Sequence, residues 1–158
     1  MLIAQGMRLV MGDQGVPKAL IHKGAVYIGP GSYVGPYTVI HRARIHGKTT
    51  NVGRYVQIGT HNNIGHGCEV HEKSIITQGV LLGGGVIVGS SCFLAMGANV
   101  LPHVQIAKHT MIGAQALVTR DIVDEGGVYY GQPARRISEW DGSWETTSSI
   151  RGRGEPVG

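Results

Sequence analysis

Charged residues, aromatic residues and cysteines are scarce in this sequence. Of its 158 residues, 14 are Lys or Arg, 10 are Asp or Glu, two are cysteine and one is phenylalanine. Two cysteines without a C-x-x-C motif exclude the disulfide framework of a small secreted domain. The chain has no apolar run long enough to cross a membrane, and its start, MLIAQGMRLV, lacks the features of a signal peptide. We therefore expect a single cytoplasmic domain without a membrane span.

The positive charge of the chain is modest. The formal net charge is +4, and the isoelectric point is about 9.3. This balance favours an anionic ligand such as a nucleotide or a phosphorylated cofactor. No cluster of aromatic and basic residues predicts binding to nucleic acid.

Glycine, in contrast, is abundant, with 26 residues. Collagen is excluded because glycine does not occupy every third position. Disorder is disfavoured because 42% of the residues are hydrophobic and the net charge is low. Long helices are excluded because each helical glycine costs about 1 kcal/mol relative to alanine. The glycines must therefore belong to a regular structure that requires them.

An aliphatic residue recurs at every sixth position from Ile28 to Val118. Fifteen of the sixteen positions fit, and the exception, His46, follows Ile45. The residue that follows is glycine at nine of the sixteen positions. The residue two places before each of the sixteen positions is usually small or β-branched. The aliphatic positions are 28, 34, 40, 52, 58, 64, 70, 76, 82, 88, 94, 100, 106, 112 and 118. This is the hexapeptide repeat of a parallel β-helix.

Three hexapeptides make one triangular coil, with the aliphatic and small side chains inside the prism and glycine in the turns. Cys68 and Cys92 take the small interior position, so we expect them to be buried. Residues 26–123 should form the β-helix, and residues 1–25 should cap its first coil. Residues 124–158 lose the period and are expected to form a C-terminal loop and an irregular tail.

The stacking of coils singles out one histidine. Because each coil contains three hexapeptides, His66 should lie directly below Gly84 on the next coil, at a distance of about 5 Å. This pairs a candidate general base with a backbone N–H that a ligand can approach closely. Acyl transfer from a thioester needs both groups, one to remove a proton and one to stabilise the oxyanion.

Sequence motifs follow between residues 66 and 135. They are HGC at 66–68, Gly79, LGGGVIVG at 82–89, AMGA at 95–98, IGA at 112–114, VTRDI at 118–122 and GQPAR at 131–135. This stretch resembles the left-handed β-helix acyltransferases of the hexapeptide transferase superfamily, most of all the sugar N- and O-acetyltransferases that act on UDP-4-amino-sugars and sialic acid. The resemblance implies an all-β fold, a left-handed parallel β-helix.

The resemblance also implies roles for individual residues. His66 matches the general base, and Gly84 matches the glycine whose N–H contacts the thioester oxygen. Ala95, Met96 and Ala114 match positions whose backbone lines the pantetheine arm of the acyl donor. The basic residues placed where they could meet CoA phosphates are Lys108, Arg120 and Arg135.

Two positions depart from the family pattern. An acidic residue often follows the base, but here it is Gly67, and the second family histidine is replaced by Ile75. Glu69 and Glu72 are the acids nearby in sequence that could orient the His66 ring.

The implied activity is acetyl transfer from acetyl-CoA to an amino or hydroxyl group of a sugar or nucleotide sugar. The family resemblance implies a homotrimer with active sites between subunits, and no metal is expected. We expect direct attack by the acceptor on the thioester, because Cys68 and Cys92 point inward and are poor candidates for a nucleophile.

Three alternatives share the fold. A γ-class carbonic anhydrase would use His66 and His71, which are five positions apart, with His46 or His61 as the third metal ligand. An acyltransferase could instead take its acyl group from an acyl carrier protein. A non-catalytic β-helix assembly protein would use none of these side chains for chemistry.

Overall fold

The computed structural model describes residues 2–4, 7–11 and 17–142, and every regular element in these segments is a β-strand. The strands are β1 Leu2–Ala4, β2 Met7–Met11, β3 Pro17–Ile21, β4 Ala25–Ile28, β5 Tyr33–Val34, β6 Val39–His41, β7 Thr49–Val52, β8 Gln57–Ile58, β9 Asn63–Ile64, β10 Glu69–Val70, β11 Ile75–Ile76, β12 Leu81–Leu82, β13 Ile87–Val88, β14 Phe93–Leu94, β15 Asn99–Val100, β16 Gln105–Ile106, β17 Met111–Ile112, β18 Leu117–Val118, β19 Gly127–Tyr130 and β20 Arg135–Glu139. These segments contain no helix that could cross a membrane.

Most of the strands form three sheets that run along a triangular prism. Sheet A has the order β1-β6-β9-β12-β15-β18, sheet B the order β4-β7-β10-β13-β16, and sheet C the order β5-β8-β11-β14-β17-β19-β20. Neighbours within these sheets pair in parallel except β19 and β20. From β4 to β18 the chain visits sheets B, C and A in turn, with one strand on each face of the prism in every coil. The predicted fold class, a left-handed parallel β-helix of hexapeptide repeats, is confirmed. We name the prism edges AB, BC and CA after the sheets that their turns connect.

The hexapeptide core is as the period predicts. Ile64 lies beside Leu82, and Leu82 beside Val100, in successive coils of sheet A, and all three side chains are buried. Each such side chain stabilises the fold by about 1.5–3 kcal/mol through removal of its surface from water. The predicted burial of Cys68 and Cys92 is confirmed, and their thiols donate to the carbonyls of Gly83 and Ala107, both at 3.1 Å.

The hexapeptide around His46 departs from the predicted stacking. In later coils Asn63 pairs with Leu81, three hexapeptides further along the chain. In the first coil, Ala25 pairs with Thr49, which is four hexapeptides further along the chain. The first coil therefore contains one hexapeptide more than the later coils. The additional hexapeptide lies within residues 42–48, which form no strand and leave the prism as a loop at edge AB, here called the edge loop. Because His46 supplies no aliphatic side chain to the core, this hexapeptide can loop out without loss of buried surface.

The two ends of the prism differ from each other. At the first end, β1 extends sheet A by pairing with β6, and β2 and β3 form an antiparallel pair within the expected cap of residues 1–25. At the other end, the expected irregular tail contains two strands, β19 and β20. Val128 and Tyr129 of β19 are buried, which explains why this segment forms a strand without the hexapeptide period. The rest of the expected tail, residues 143–158, lies outside the described residues.

Candidate active site

His66 lies directly against Gly84 at edge AB. His66 is in the turn between β9 and β10, Gly84 is in the turn one coil further along, and the Gly85 N–H donates to the His66 carbonyl at 2.8 Å. A Cβ on Gly84 would lie 2.5 Å from both Cε1 and Nε2 of the His66 ring. The imidazole therefore occupies the space that a side chain at position 84 would need.

The backbone of Gly84 is open to a ligand. Among the described residues, no acceptor takes the Gly84 N–H, whereas the Gly84 carbonyl accepts from the His103 N–H at 2.9 Å. A Cβ on the next residue, Gly85, would lie 2.6 Å from Nδ1 of His103. The two glycines therefore form a floor with an imidazole on each side, His66 from the preceding coil and His103 from the following coil.

A second histidine packs behind His66. The ring of His22 meets the His66 ring edge-on, with centroids 4.8 Å apart and planes at 80°. His22 is only 3% exposed, and neither of its ring nitrogens makes a hydrogen bond with a described residue. Burial lowers the pKa of His22, and the nearby Arg42 carbonyl acts in the opposite direction. Desolvation of an unpaired imidazole is unfavourable and more so for its charged form, so this environment favours neutral His22.

The environment of His66 favours the neutral imidazole. Burial is the largest cause that lowers the pKa of His66, and the electrostatic influence of His22, Arg44, His103 and His41 on the protonated ring lowers it further. A histidine ordinarily titrates near pH 6.5, so at pH 7 this ring is neutral and can accept a proton.

Neither acid that could orient His66 pairs with it. Glu69 pairs with His71, with 3.5 Å between Oε2 and Nε2. Glu72 accepts a hydrogen bond from Arg54 Nε at 2.6 Å, which lowers the pKa of this carboxyl. The ring is held instead by His22 on one side and by the glycine floor on the other.

The residues matched to the acyl donor lie on another edge. Ala95, Met96 and Ala114 are in turns of edge CA, where Met96 is 54% exposed. The body of the prism therefore separates them from His66 and Gly84. A site that contained both sets would need edge CA of a second copy of the chain.

The three basic residues matched to CoA phosphates are also dispersed. Lys108 lies on edge BC and pairs with Glu125, with 3.4 Å between Nζ and Oε1. Arg120 follows β18 at edge AB, two coils beyond Gly84, and lines one cavity of about 240 Å³ together with Arg135. The structure thus groups Arg120 with Arg135 but not with Lys108.

Three features of the site are missing from the motifs that the sequence singled out. His103 stands one coil after Gly85, so the stacking that pairs His66 with Gly84 could also have found it. The contact between His22 and His66 could not be found from the stacking of coils, because His22 precedes the repeat. The edge loop keeps the six-residue phase of its neighbours, so the sequence does not reveal that it leaves the prism.

The described residues bring together no group of three or more His, Cys, Asp or Glu side chains that could hold a metal ion. His66 lies at edge AB and His71 at edge BC, on opposite sides of sheet B. A metal site built on these two histidines would therefore need ligands from a second chain.

Sequence comparison finds relatives in two enzyme families. UDP-3-O-acylglucosamine N-acyltransferase 2 from Sulfurimonas denitrificans is 29% identical over 92 residues, which cover 58% of this chain and 29% of that protein. Mitochondrial gamma carbonic anhydrase 1 from Arabidopsis thaliana is 31% identical over 115 residues, 70% of this chain and 35% of that protein. The chain thus spans about a third of the length of these curated relatives. No protein-family model matches the sequence.

Solved structures share the fold. A hexapeptide transferase family protein from Anaplasma phagocytophilum superposes with a TM-score of 0.67 at 23% identity, over 81% of this chain and 75% of that chain. Perosamine N-acetyltransferase from Caulobacter crescentus, in complex with CoA and GDP-perosamine, gives 0.54 at 24% identity, over 75% and 58% of the two chains. The resemblance to hexapeptide-repeat acyltransferases is therefore confirmed, with acyltransferases among the sequence relatives and the structural neighbours.

Proposed function

We propose that this protein transfers an acetyl group from acetyl-CoA to an amino or hydroxyl group of a sugar or nucleotide sugar. The observation that carries the proposal is a neutral imidazole, His66, packed against Gly84, whose N–H has no acceptor among the described residues. These are the proton acceptor and the oxyanion donor that attack on a thioester requires. The matching acyltransferases among relatives and neighbours support it.

The reaction is one displacement without a covalent enzyme intermediate. A ring nitrogen of His66 takes the proton of the acceptor as the acceptor nitrogen or oxygen attacks the thioester carbonyl. The Gly84 N–H donates to the oxygen of the tetrahedral intermediate. Collapse breaks the carbon–sulfur bond and releases CoA as its thiol, with the proton returned from the imidazolium to the sulfur. The open glycine floor allows the thioester to reach both groups.

The donor site combines two chains. Ala95, Met96 and Ala114 of one subunit would line the pantetheine arm beside His66 of another, in a cleft of the homotrimer that the family resemblance implies. The candidates to bind CoA phosphates are Arg120 and Arg135, which line one cavity. CoA bound to perosamine N-acetyltransferase supports a CoA donor. The trimer and the cytoplasmic location stay predictions.

The thiols are expected to be unreactive in the folded protein. Burial raises the pKa of both Cys68 and Cys92 to about 11, so the thiolate form is scarce at neutral pH. Incubation with iodoacetamide at neutral pH should leave activity intact and label neither residue, whereas unfolding in guanidinium should expose two reactive thiols. Rapid inactivation with label on Cys68 or Cys92, or a trapped acetyl-cysteine, would contradict direct attack.

His22 should affect the pH dependence of the reaction. The neutral form of His66 is the active one, so kcat/KM should rise with pH through the pKa of His66, at a midpoint below 6.5. In His22→Ala, water enters behind the ring, and the protonated form of His66 becomes better solvated. Renewed solvation raises the pKa of His66, so the acidic limb should move towards the ordinary value. His71→Ala, at edge BC, is the matched control and should leave the limb in place.

The proposed activity is tested with acetyl-CoA and a panel of acceptors, following thiol release. The panel contains UDP-linked 4-amino-sugars, sialic acid and glucosamine, each with mass spectrometry of the product. Acetylation of any of them, lost in His66→Gln with the oligomer intact, supports the proposal. If acetyl-CoA neither binds nor reacts with any acceptor, the proposal is wrong, and the same panel with acyl carrier protein tests the alternative donor.

A metal-dependent activity is the second candidate, because two gamma carbonic anhydrases are about 30% identical to this chain. Its motif would use His66 and His71, which need further ligands from another chain. The metal content of the purified oligomer tests it. Zinc or iron at one per subunit, together with CO₂ hydration that His71→Ala abolishes, would favour this activity over acyl transfer.

A further inference from the structure

We propose that the edge loop binds an anionic group of the acceptor through Arg44, beside the base His66. This inference rests on the proposed acyl transfer and adds to it the chemical class of the acceptor, a molecule that carries a phosphate or carboxylate near the acylated position. Residues 42–48 carry four basic side chains and no acid, and they leave the prism at the same edge as His66. Those four are Arg42, Arg44, His46 and Lys48.

The edge loop is held in place against the cap. The Gly24 N–H donates to the Ala43 carbonyl at 2.8 Å, and the Lys23 N–H donates to the Arg44 carbonyl at 3.3 Å. Ala43 is 2% exposed, so its side chain is buried at the root of the loop. The backbone of Arg44 is thereby fixed close to the segment that carries His22, so the guanidinium stays within one side-chain length of that segment.

Among the described residues, the charges of the edge loop have no acidic partners. Between Asp13 and Glu69 the sequence has six Lys or Arg residues and no Asp or Glu. Within the part of the chain that the structure describes, no carboxylate pairs with Arg42, Arg44 or Lys48. A cation without an acidic partner on an anchored loop is available to an anionic ligand, which gains the most where the cation lies nearest to it.

Arg44 is the member of the edge loop whose backbone carbonyl is hydrogen-bonded to Lys23, next to the His22 ring that packs on His66. Its positive charge acts on both His66 and His22, whereas no other residue of the loop is among the charges that lower the pKa of His66. A guanidinium presents a fork of donors that suits phosphate and carboxylate oxygens. The charge of Arg44 thus acts on the base, whereas Arg42 acts on this site through its backbone carbonyl, which faces His22.

The anion belongs to the acceptor rather than to the donor. In acetyl-CoA the long pantetheine arm separates the thioester from the phosphates. When the thioester of acetyl-CoA lies on the glycine floor beside His66, the phosphates of the same molecule are therefore far from Arg44. The acceptor, in contrast, must have its nucleophilic group at His66, so an anion on the same molecule can reach the edge loop.

The test compares Arg44→Gln with Arg42→Gln, which removes a charge from the same loop. With a UDP-linked amino sugar or sialic acid as acceptor, Arg44→Gln should raise the acceptor KM about ten- to hundred-fold. Arg42→Gln should change it less than twofold, and the KM for acetyl-CoA should stay constant in both. Arg44→Lys should recover part of the affinity, and glucosamine, which has no anionic group, should respond to neither variant.

Several outcomes overturn the inference. An unchanged acceptor KM in Arg44→Gln, an equal effect of Arg42→Gln, or an increase confined to the KM for acetyl-CoA would each do so. Comparison of the UDP-linked sugar with sialic acid distinguishes phosphate from carboxylate as the bound group. If no acceptor is acylated by the unmodified protein, the proposed function fails first, and that result is distinct from acylation that does not depend on Arg44.

Discussion

Replacement of His66 by glutamine is expected to lower kcat for acyl transfer by about 10²–10⁴-fold, the usual contribution of a general base. The amide cannot accept the proton of the acceptor, although it is similar in size to the imidazole and can rest on the same glycine floor. The KM for acetyl-CoA should change little, since the ring contacts the reacting atoms rather than the nucleotide. Steady-state thiol release under saturating acetyl-CoA measures the effect.

The matched control for His66 is His71→Gln. His71 is exposed at edge BC, where it pairs with Glu69, so its replacement should leave kcat within twofold. Thermal unfolding and the oligomeric state should be the same for both variants. Equal losses in the two variants, or a His66→Gln protein with normal kcat, would remove His66 from the chemistry.

Introduction of a methyl group at Gly84 should disable the site without unfolding the protein. The alanine Cβ would meet Cε1 and Nε2 of His66 at 2.5 Å, so the imidazole has to leave its position. Other glycines of the turns, such as Gly65, would meet backbone atoms instead, which cannot move away as a side chain can. We expect Gly84→Ala to lower kcat by about 10²–10³-fold, because base and oxyanion donor are displaced from each other.

A double-mutant cycle separates this effect from a general defect. If Gly84→Ala acts by displacing His66, it should lower kcat much less in the His66→Gln background than alone. Gly67→Ala is the control at the same edge, since no atom lies within 4 Å of its added Cβ. Its positive φ of 68° predicts a loss of stability of about 1 kcal/mol, with activity retained. Additive effects of Gly84→Ala and His66→Gln would show that the methyl group acts elsewhere.

The period of six predicts most of the fold because it records core packing directly. Each aliphatic position faces the inside of the prism, so Ile64, Leu82 and Val100 are predictable from spacing alone. The stacking of whole coils also finds Gly84 and could find His103, because no insertion interrupts the coils between them. For the same reason Met96 is predictably distant from His66, since its position in the coil belongs to another edge.

The features that the sequence does not predict involve segments outside the regular coils. An insertion of one whole hexapeptide keeps the phase of its neighbours, so the pattern continues through His46 although no strand forms there. The contact of His22 with His66 depends on how the cap meets the first coil, which no period encodes. Strand β19 pairs with β17 one residue short of a full coil, with Met111 beside Val128, and so falls outside the pattern as well.

These two kinds of segment meet at edge AB. The regular coils supply the base and the glycine floor, whereas the cap and the edge loop supply His22 and Arg44. In the proposed reaction the repeat would provide the base and the oxyanion donor, and the irregular segments would adjust the pKa of the base and select the acceptor. Substitutions in the edge loop should therefore alter acceptor preference more than the rate of thioester attack.

The most direct measurement is an NMR titration of the His66 ring, compared with the pH dependence of kcat/KM for the same protein. If His66 is the general base, one pKa below 6.5 should appear both in its titration and as the midpoint of the acidic limb. The limb should also be absent from the residual activity of His66→Gln. A His66 pKa that differs from the kinetic midpoint, or an acidic limb that survives in His66→Gln, would contradict the assignment of His66 as the general base.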